Sequence, residues 1–186
     1  MTAVLTSTLP FLKWAGGKQR LIAQYEPYLP PLPAIGRYYE PFIGGAAIFF
    51  HWQPPAATLA DRNERLVDVY RAVQQDVDAV IEALRPHRNE EAYFYAVRAQ
   101  DETTLTLAER AARLIYLNKT CYNGLFRENS KGQFNAPFGR YAKPVICNEP
   151  RLRAAAAALQ RVDLAAGDFE DVVETAVAGD FIYCDP

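Results

Sequence analysis

The chain has 186 residues, half of them apolar and 23% charged, with a formal net charge of −2. That size suits one core, or one core with an inserted lobe, in an ordinary soluble globular protein. No apolar run approaches the roughly 18 residues of a membrane span, and Met1 to Pro10 lacks the basic start of a secretory signal, so no membrane contact and a cytoplasmic location are expected.

Cys121, Cys147 and Cys184 stand in no paired metal spacing and have only His51 and His87 to join them, so no metal is expected. The cysteines read as reduced residues in or near the core. The modest net charge hides an uneven distribution. Arg110 to Lys143 carries seven Lys or Arg against one acid, Glu128, a balance of +6, while the remainder carries −8. A basic stretch interleaved with Asn, Gly and aromatics is the footprint of phosphate contact, although basic runs also serve as plain solvated faces.

In chain order, Pro10-Phe-Leu-Lys-Trp-Ala-Gly-Gly-Lys18 is too glycine-rich for a helix interior. It predicts a loop presenting Trp14 and Lys18, followed by a short helix over about residues 19–28 that Pro30-Pro31 ends. Such a loop grips an adenine or a carboxylate by stacking and charge, or simply covers the core with its Trp. The residues alone leave both open. Arg37 to Phe50 reads as a strand through Tyr38 and Tyr39, a turn at Gly44-Gly45 with room for a ligand, and an apolar helix from Ala46. Thr58-Leu-Ala-Asp61 is a second strand, ending in an acid seventeen positions after Gly44. That is close to the spacing at which Rossmann-type sheets set an acid on a ribose, a pattern many α/β proteins carry without binding anything there.

Apolar residues then recur at helical spacing from Leu66 to Leu84, over about five turns, and are core. A further helix is predicted over 90–100. The capping box Thr106-Leu-Ala-Glu109 starts another that buries Leu107, Ala111, Leu114 and Ile115 and runs out at Asn118. These helices interrupt the α/β alternation as an inserted lobe. Residues 119–143 form a long segment with too many large apolar groups for a disordered tail. Ser130-Lys-Gly-Gln predicts a turn closing a β-hairpin between Leu125 and Phe138. A hairpin tipped with Tyr, Arg, Asn and Pro suits a DNA groove, and equally packs on its own lobe through its phenylalanines. Asn148 caps a last long helix, Val162 to Ala165 is a strand, Gly167-Asp168-Phe169 turns into a short helix, and Asp180 to Cys184 is a strand delivering Asp185-Pro186 at its carboxyl end.

Taken together, Phe11–Lys18, Tyr39-Glu-Pro-Phe-Ile-Gly-Gly45, Leu59-Ala-Asp-Arg-Asn63, Tyr116–Arg127 with Gly132–Tyr141, and Asp185-Pro186 resemble, in order, the motifs of the Dam-type (D12 class) adenine-specific DNA methyltransferases. The resemblance implies a Rossmann-like methyltransferase sheet, an α/β fold with an inserted, mainly helical target-recognition lobe carrying a β-hairpin. Residues 1–63 and 147–186 would form the catalytic domain and 64–146 the recognition domain of a monomer. It further implies S-adenosyl-L-methionine as cofactor, held by Trp14, Lys18, Glu40, Phe42, Gly44, Asp61 at the ribose, Asp168 and Phe169 at the adenine, and Asp185. Asp185 and Pro186 would act on the exocyclic amine of an adenine flipped out of double-stranded DNA, at GATC sites. On the DNA side it implies Tyr122 as intercalator, Asn123 on phosphate, Leu125, Arg127 and Pro137 on bases, helped by Lys13, together with Lys119, Asn135 and Arg140. The family's Asp-Pro-Pro-Tyr motif and sheet continue beyond the counterpart of Pro186. This polypeptide alone is therefore expected to be a truncated member, C-terminal strands missing, with little methylation of a GATC duplex.

Two other classes are weighed. One is a non-catalytic DNA-binding remnant. The other, a nicotinamide dehydrogenase, is disfavoured because the glycines lack the three-glycine fingerprint.

Overall fold

A computed structural model describes residues 8–186. The reading of Met1 to Pro10 as lacking a secretory start therefore lies mostly outside the described residues. Among these, no helix is long and apolar enough to cross a membrane.

After the Trp14 loop the chain makes a 3-10 turn (Lys18–Leu21), one turn of helix α1 (Ile22–Tyr25) and a second 3-10 turn (Glu26–Tyr28). One helix was predicted here. Pro27 has no N–H for a regular ladder, which accounts for the interruption. Strand β1 (Tyr38–Glu40), helix α2 (Ala47–Trp52) and strand β2 (Ala57–Asp61) follow. Ala46, expected inside α2, precedes it with φ +53°. The predicted helical run from Leu66 is two helices, α3 (Glu64–Gln75) and α4 (Val77–Leu84). The break falls at Asp76, φ −150°, whose carboxylate accepts the Ala79 N–H at 2.9 Å. A short acid that competes for backbone donors favours that cap over a helix interior. Next come α5 (Glu91–Arg98) and α6 (Leu107–Thr120), whose capping box between Thr106 and Glu109 is formed. Helix α6 runs two residues past its expected end.

The predicted hairpin is instead an irregular ribbon. Only two isolated antiparallel bridges form, Cys121 with Phe138 and Glu128 with Phe134. Asn129 makes the turn, its side-chain oxygen accepting the N–H groups of Lys131 (2.9 Å) and Gln133 (3.0 Å). Pro137 donates nothing to a ladder, and its carbonyl accepts the Tyr122 N–H at 2.8 Å. Helix α7 (Glu149–Leu159), capped by Asn148, then leads to β3 (Val162–Ala166), α8 (Phe169–Val173) and β4, which pairs only over Phe181–Ile182 rather than from Asp180 to Cys184.

The four strands form one parallel sheet in the order β3-β2-β1-β4, with Tyr39 opposite Thr58 on one side and Ile182 on the other. Parallel neighbours need crossovers, and helices supply each one. Strand alternation sorts the side chains. Tyr38, Ala57 and Leu59 face a large core shared with α3–α7, whereas Tyr39 and Ala60 face the opposite side and meet Val172 of α8. The predicted apolar positions of α3 and α4 are buried except Val77, which is half-buried, and Ala111, Leu114 and Ile115 of α6 are buried; Leu107 is half-buried. The sheet and the central helices share this core, with Phe11 edge-on to Tyr70 at 5.2 Å. Phe134 is buried, and Phe138 packs on Phe94 at 5.4 Å. Cys121 is buried and Cys147 half-buried, but Cys184 is exposed, contrary to its expected place near the core.

Candidate functional site

The carboxyl ends of β1, β2 and β4 open into a cleft of about 210 Å³, the position at which open α/β sheets hold ligands. Trp14, Lys18, Glu40, Phe42, Gly44, Asp61, Asp185 and Pro186 all line it. The sheet explains the convergence: Glu40 and Asp61 are the last residues of adjacent strands, and Asp185 lies three residues past β4, the neighbour of β1 on its other side.

Gly44 has φ +44°, and a Cβ there would stand 2.9 Å from Trp14 Cδ1. The turn therefore requires glycine twice over, for its backbone and for the indole lying on it. Gly44→Ala is expected to displace Trp14 and cost about 1–3 kcal/mol, read as a changed near-UV spectrum with a lowered urea midpoint. An unchanged spectrum would contradict the contact.

Asp61 accepts the N–H of Asn63 at 2.9 Å and, more weakly, that of Gly44 at 3.4 Å. Burial pushes its carboxyl pKa up, against those two bonds. Glu40 is only 3% exposed and takes a 2.8 Å hydrogen bond from the Tyr38 hydroxyl, two residues back on the same face of β1. Burial raises its carboxyl to about 8, with the bonds from Tyr38 and the Phe49 backbone opposing and Asp185 adding a smaller upward push. At neutral pH Glu40 is mostly a neutral acid. Lys18 pairs with Asp185 and donates to the Gly16 carbonyl at 2.7 Å. The lining thus holds three carboxyl groups and one ammonium, beside the indole face.

Asp168 and Phe169 do not line this cleft. Asp168 caps α8 by accepting the Glu170 N–H at 3.2 Å, and the half-exposed Phe169 ring lies 5.5 Å from that of Phe42. Tyr183 does line it and was missed. Its hydroxyl lies 3.5 Å from Asp185 Oδ2. The available signal was its place two residues before Asp185 in an extended segment, where alternate residues share a face.

The ribbon packs on the same loop. The Phe126 ring stacks on Trp14 at 5.3 Å and 24°. Asn118, 3% exposed, accepts the Lys13 N–H at 2.9 Å and donates to the carbonyls of Lys13 (2.7 Å) and Gly124 (3.0 Å). Gly124, φ +66°, lets the chain pass against Lys13. Tyr122 (54% exposed) and Leu125 (37%) face outward. Asn123 has φ +55°, and its N–H donates to the Tyr141 hydroxyl at 3.0 Å. Arg127 is held by the Asn135 side chain at 2.7 Å, and Arg140 pairs with Glu91 at 3.6 Å. Lys13 and Lys119 line a second, basic pocket.

Residues 14–186 match the family model of the D12 class N6 adenine-specific DNA methyltransferases. The chain belongs to this family. It is 40% identical over 95% of its length to a type II methyltransferase of Methanocaldococcus jannaschii, covering 68% of that protein. It is 36% identical over 95% of its length to the DNA adenine methylase of Serratia marcescens, covering 65% of it. With the DNA N-6-adenine-methyltransferase of Escherichia phage P1 it shares 34% identity over 94% of its length, 23% of that protein. The chain spans about two thirds of the first two relatives. In this D12 class methyltransferase the matched region contains every strand end around the cleft.

Proposed function

We propose that the cleft of this chain serves methylation of the N6 amino group of an adenine in double-stranded DNA, at GATC, with S-adenosyl-L-methionine as donor, in a monomer in the cytoplasm. The observation that carries this reading is the convergence of Trp14, Gly44, Asp61 and Asp185 on one cleft, with the Tyr122 ribbon packed on the loop that forms its rim. The 1–63 and 147–186 segments are read as the Rossmann-like catalytic part and 64–146 as the recognition part. The strand order β3-β2-β1-β4 supports the first assignment.

The cleft suits the donor. Its space against the Trp14 face is kept by a glycine whose Cβ would collide, and its carboxyl groups offer hydrogen-bond acceptors to the ligand's hydroxyl and ammonium groups. Trp14, Phe42 and Gly44 would hold that ligand, with Asp61 on its ribose hydroxyls, Glu40 and Lys18 on its polar end, and Asp168 with Phe169 towards its adenine. When bound, S-adenosyl-L-methionine supplies a methyl group on a positively charged sulfur. An adenine amine is a poor nucleophile because its lone pair is delocalised into the ring. The Asp185 carboxylate, with the backbone carbonyl of Pro186, would accept the N6 hydrogens and return electron density to nitrogen. Until an amine arrives, Lys18 keeps the carboxylate paired inside the cleft. Extrahelical adenine is required, since the amine is paired and stacked in duplex DNA. Tyr122 would fill its space, Leu125, Arg127 and Pro137 would read bases, helped by Lys13, and Asn123, Asn135, Arg140 and Lys119 would position the backbone.

The test is ligand-specific stabilisation with a base-flipping readout. S-Adenosylhomocysteine at about 100 times its Kd is expected to raise the melting temperature by about 5–10 °C while NAD does not. A duplex carrying 2-aminopurine at the GATC adenine is expected to brighten several-fold on binding, and one with a scrambled site is not. Stabilisation by NAD alone would overturn the reading. Duplex binding without any response to S-adenosylhomocysteine would favour a non-catalytic DNA-binding protein.

A further inference from the structure

The basic pocket beside the cleft has an unusual composition. It encloses about 360 Å³ between the N-terminal loop, the end of α6, the end of the ribbon and the start of α7. Lys13, Lys119, Lys143 and Arg151 line it, and no acidic residue does. Elsewhere Arg65, Arg113 and Arg153 have carboxylate partners, but among the described residues none of these four cations pairs with one. Lys13 instead lies 4.6 Å over the Tyr141 ring, and Arg151 reaches only the Pro10 carbonyl, at 3.5 Å. Burial, and the repulsion of Arg151 and Lys13, pull the Lys119 ammonium down to about 8. Assembling like charges in a recess is unfavourable, and an anion relieves it.

We propose that this pocket is a binding site for one phosphodiester group of the DNA backbone, with Lys143 and Arg151 as contacts beyond the ribbon. The assignment rests on the DNA-methyltransferase reading and extends its DNA surface onto α7. Asn118 ties the two sites together, since Lys13, whose backbone it holds, precedes Trp14 of the cleft. A phosphate seated here would fix the duplex relative to the cleft without reading sequence, the usual division between backbone and base contacts.

The test measures binding of fluorescent duplexes across a salt series in the presence of S-adenosylhomocysteine, for the wild type, Lys143→Ala, Arg151→Gln and the double variant, with melting temperatures as the check on folding. Each single substitution is expected to weaken binding about 3–10-fold, equally for GATC and scrambled duplexes. The double variant is expected to flatten the dependence of log K on log salt by about one unit. Wild-type binding with affinity and salt slope untouched by both substitutions would overturn the inference alone. Absence of any duplex binding by the wild type would sink the DNA reading and this inference with it. In a separate arm, inorganic phosphate that stabilises the wild type but not the double variant, with the duplex salt slopes unchanged, would make the pocket a free-anion site and refute the backbone assignment.

Discussion

Unfolding free energy is expected to fall by about 5 kcal/mol as pH rises through the window set by Glu40, and Glu40→Gln is expected to remove that fall. The sign follows from burial. The carboxyl has its ordinary value of 4.5 in the unfolded chain and about 8 in the fold, where it is fully desolvated. Below 4.5 both states hold the proton and there is no penalty. Between the two values only the folded state keeps it, so each pH unit favours unfolding, and the slope levels off above the folded value. Glutamine preserves the shape and an acceptor for the Tyr38 hydroxyl without an ionisable proton. Urea unfolding of both proteins across that range gives a difference curve from which most other titrations cancel. A flat difference curve would show that Glu40 is not buried as a neutral acid.

Asn118→Ala is expected to cost about 2–4 kcal/mol and to shrink the stabilisation by S-adenosylhomocysteine, although the side chain lines no part of the cleft at the strand ends. Its amide makes three hydrogen bonds at 2.7–3.0 Å, binding the end of α6 to Lys13 and to the start of the ribbon at Gly124. Alanine leaves the Lys13 N–H and two carbonyls without those partners and frees the loop that presents Trp14. Asn129→Ala serves as the comparison. It also removes side-chain bonds to backbone N–H groups, but in an exposed turn where water replaces them, so about 1 kcal/mol or less is expected. Equal losses in the two variants, or an undiminished ligand shift in Asn118→Ala, would contradict the clamp.

Elements whose signal is local were legible in the chain. The capping box at Thr106, the cap at Asn148 and the apolar spacing of α6 each occupy a few neighbouring residues, and each formed. Errors arose where a local preference competed with another group. Asp76 split a continuous helical pattern, Pro27 interrupted a helix, and Pro137 with the Asn129 turn left the expected hairpin a ribbon with two bridges.

Motif order pointed to the family by resemblance and named eight of the residues that line the cleft, because each motif carries its own turn chemistry and side-chain types, but it also named Asp168 and Phe169, which do not line it, and passed over Tyr183, which does. The meeting of Glu40, Asp61 and Asp185 within one recess was expected from the resemblance, and the strand order brings it about. Two things came only from tertiary packing, the burial of Glu40 that raises its carboxyl pKa and the placing of Arg151 beside Lys13. Strand order and helix packing bring together residues more than a hundred positions apart, and the desolvation that moves a proton depends on what surrounds the carboxyl from every side. Neither quantity is a property of a short stretch of chain.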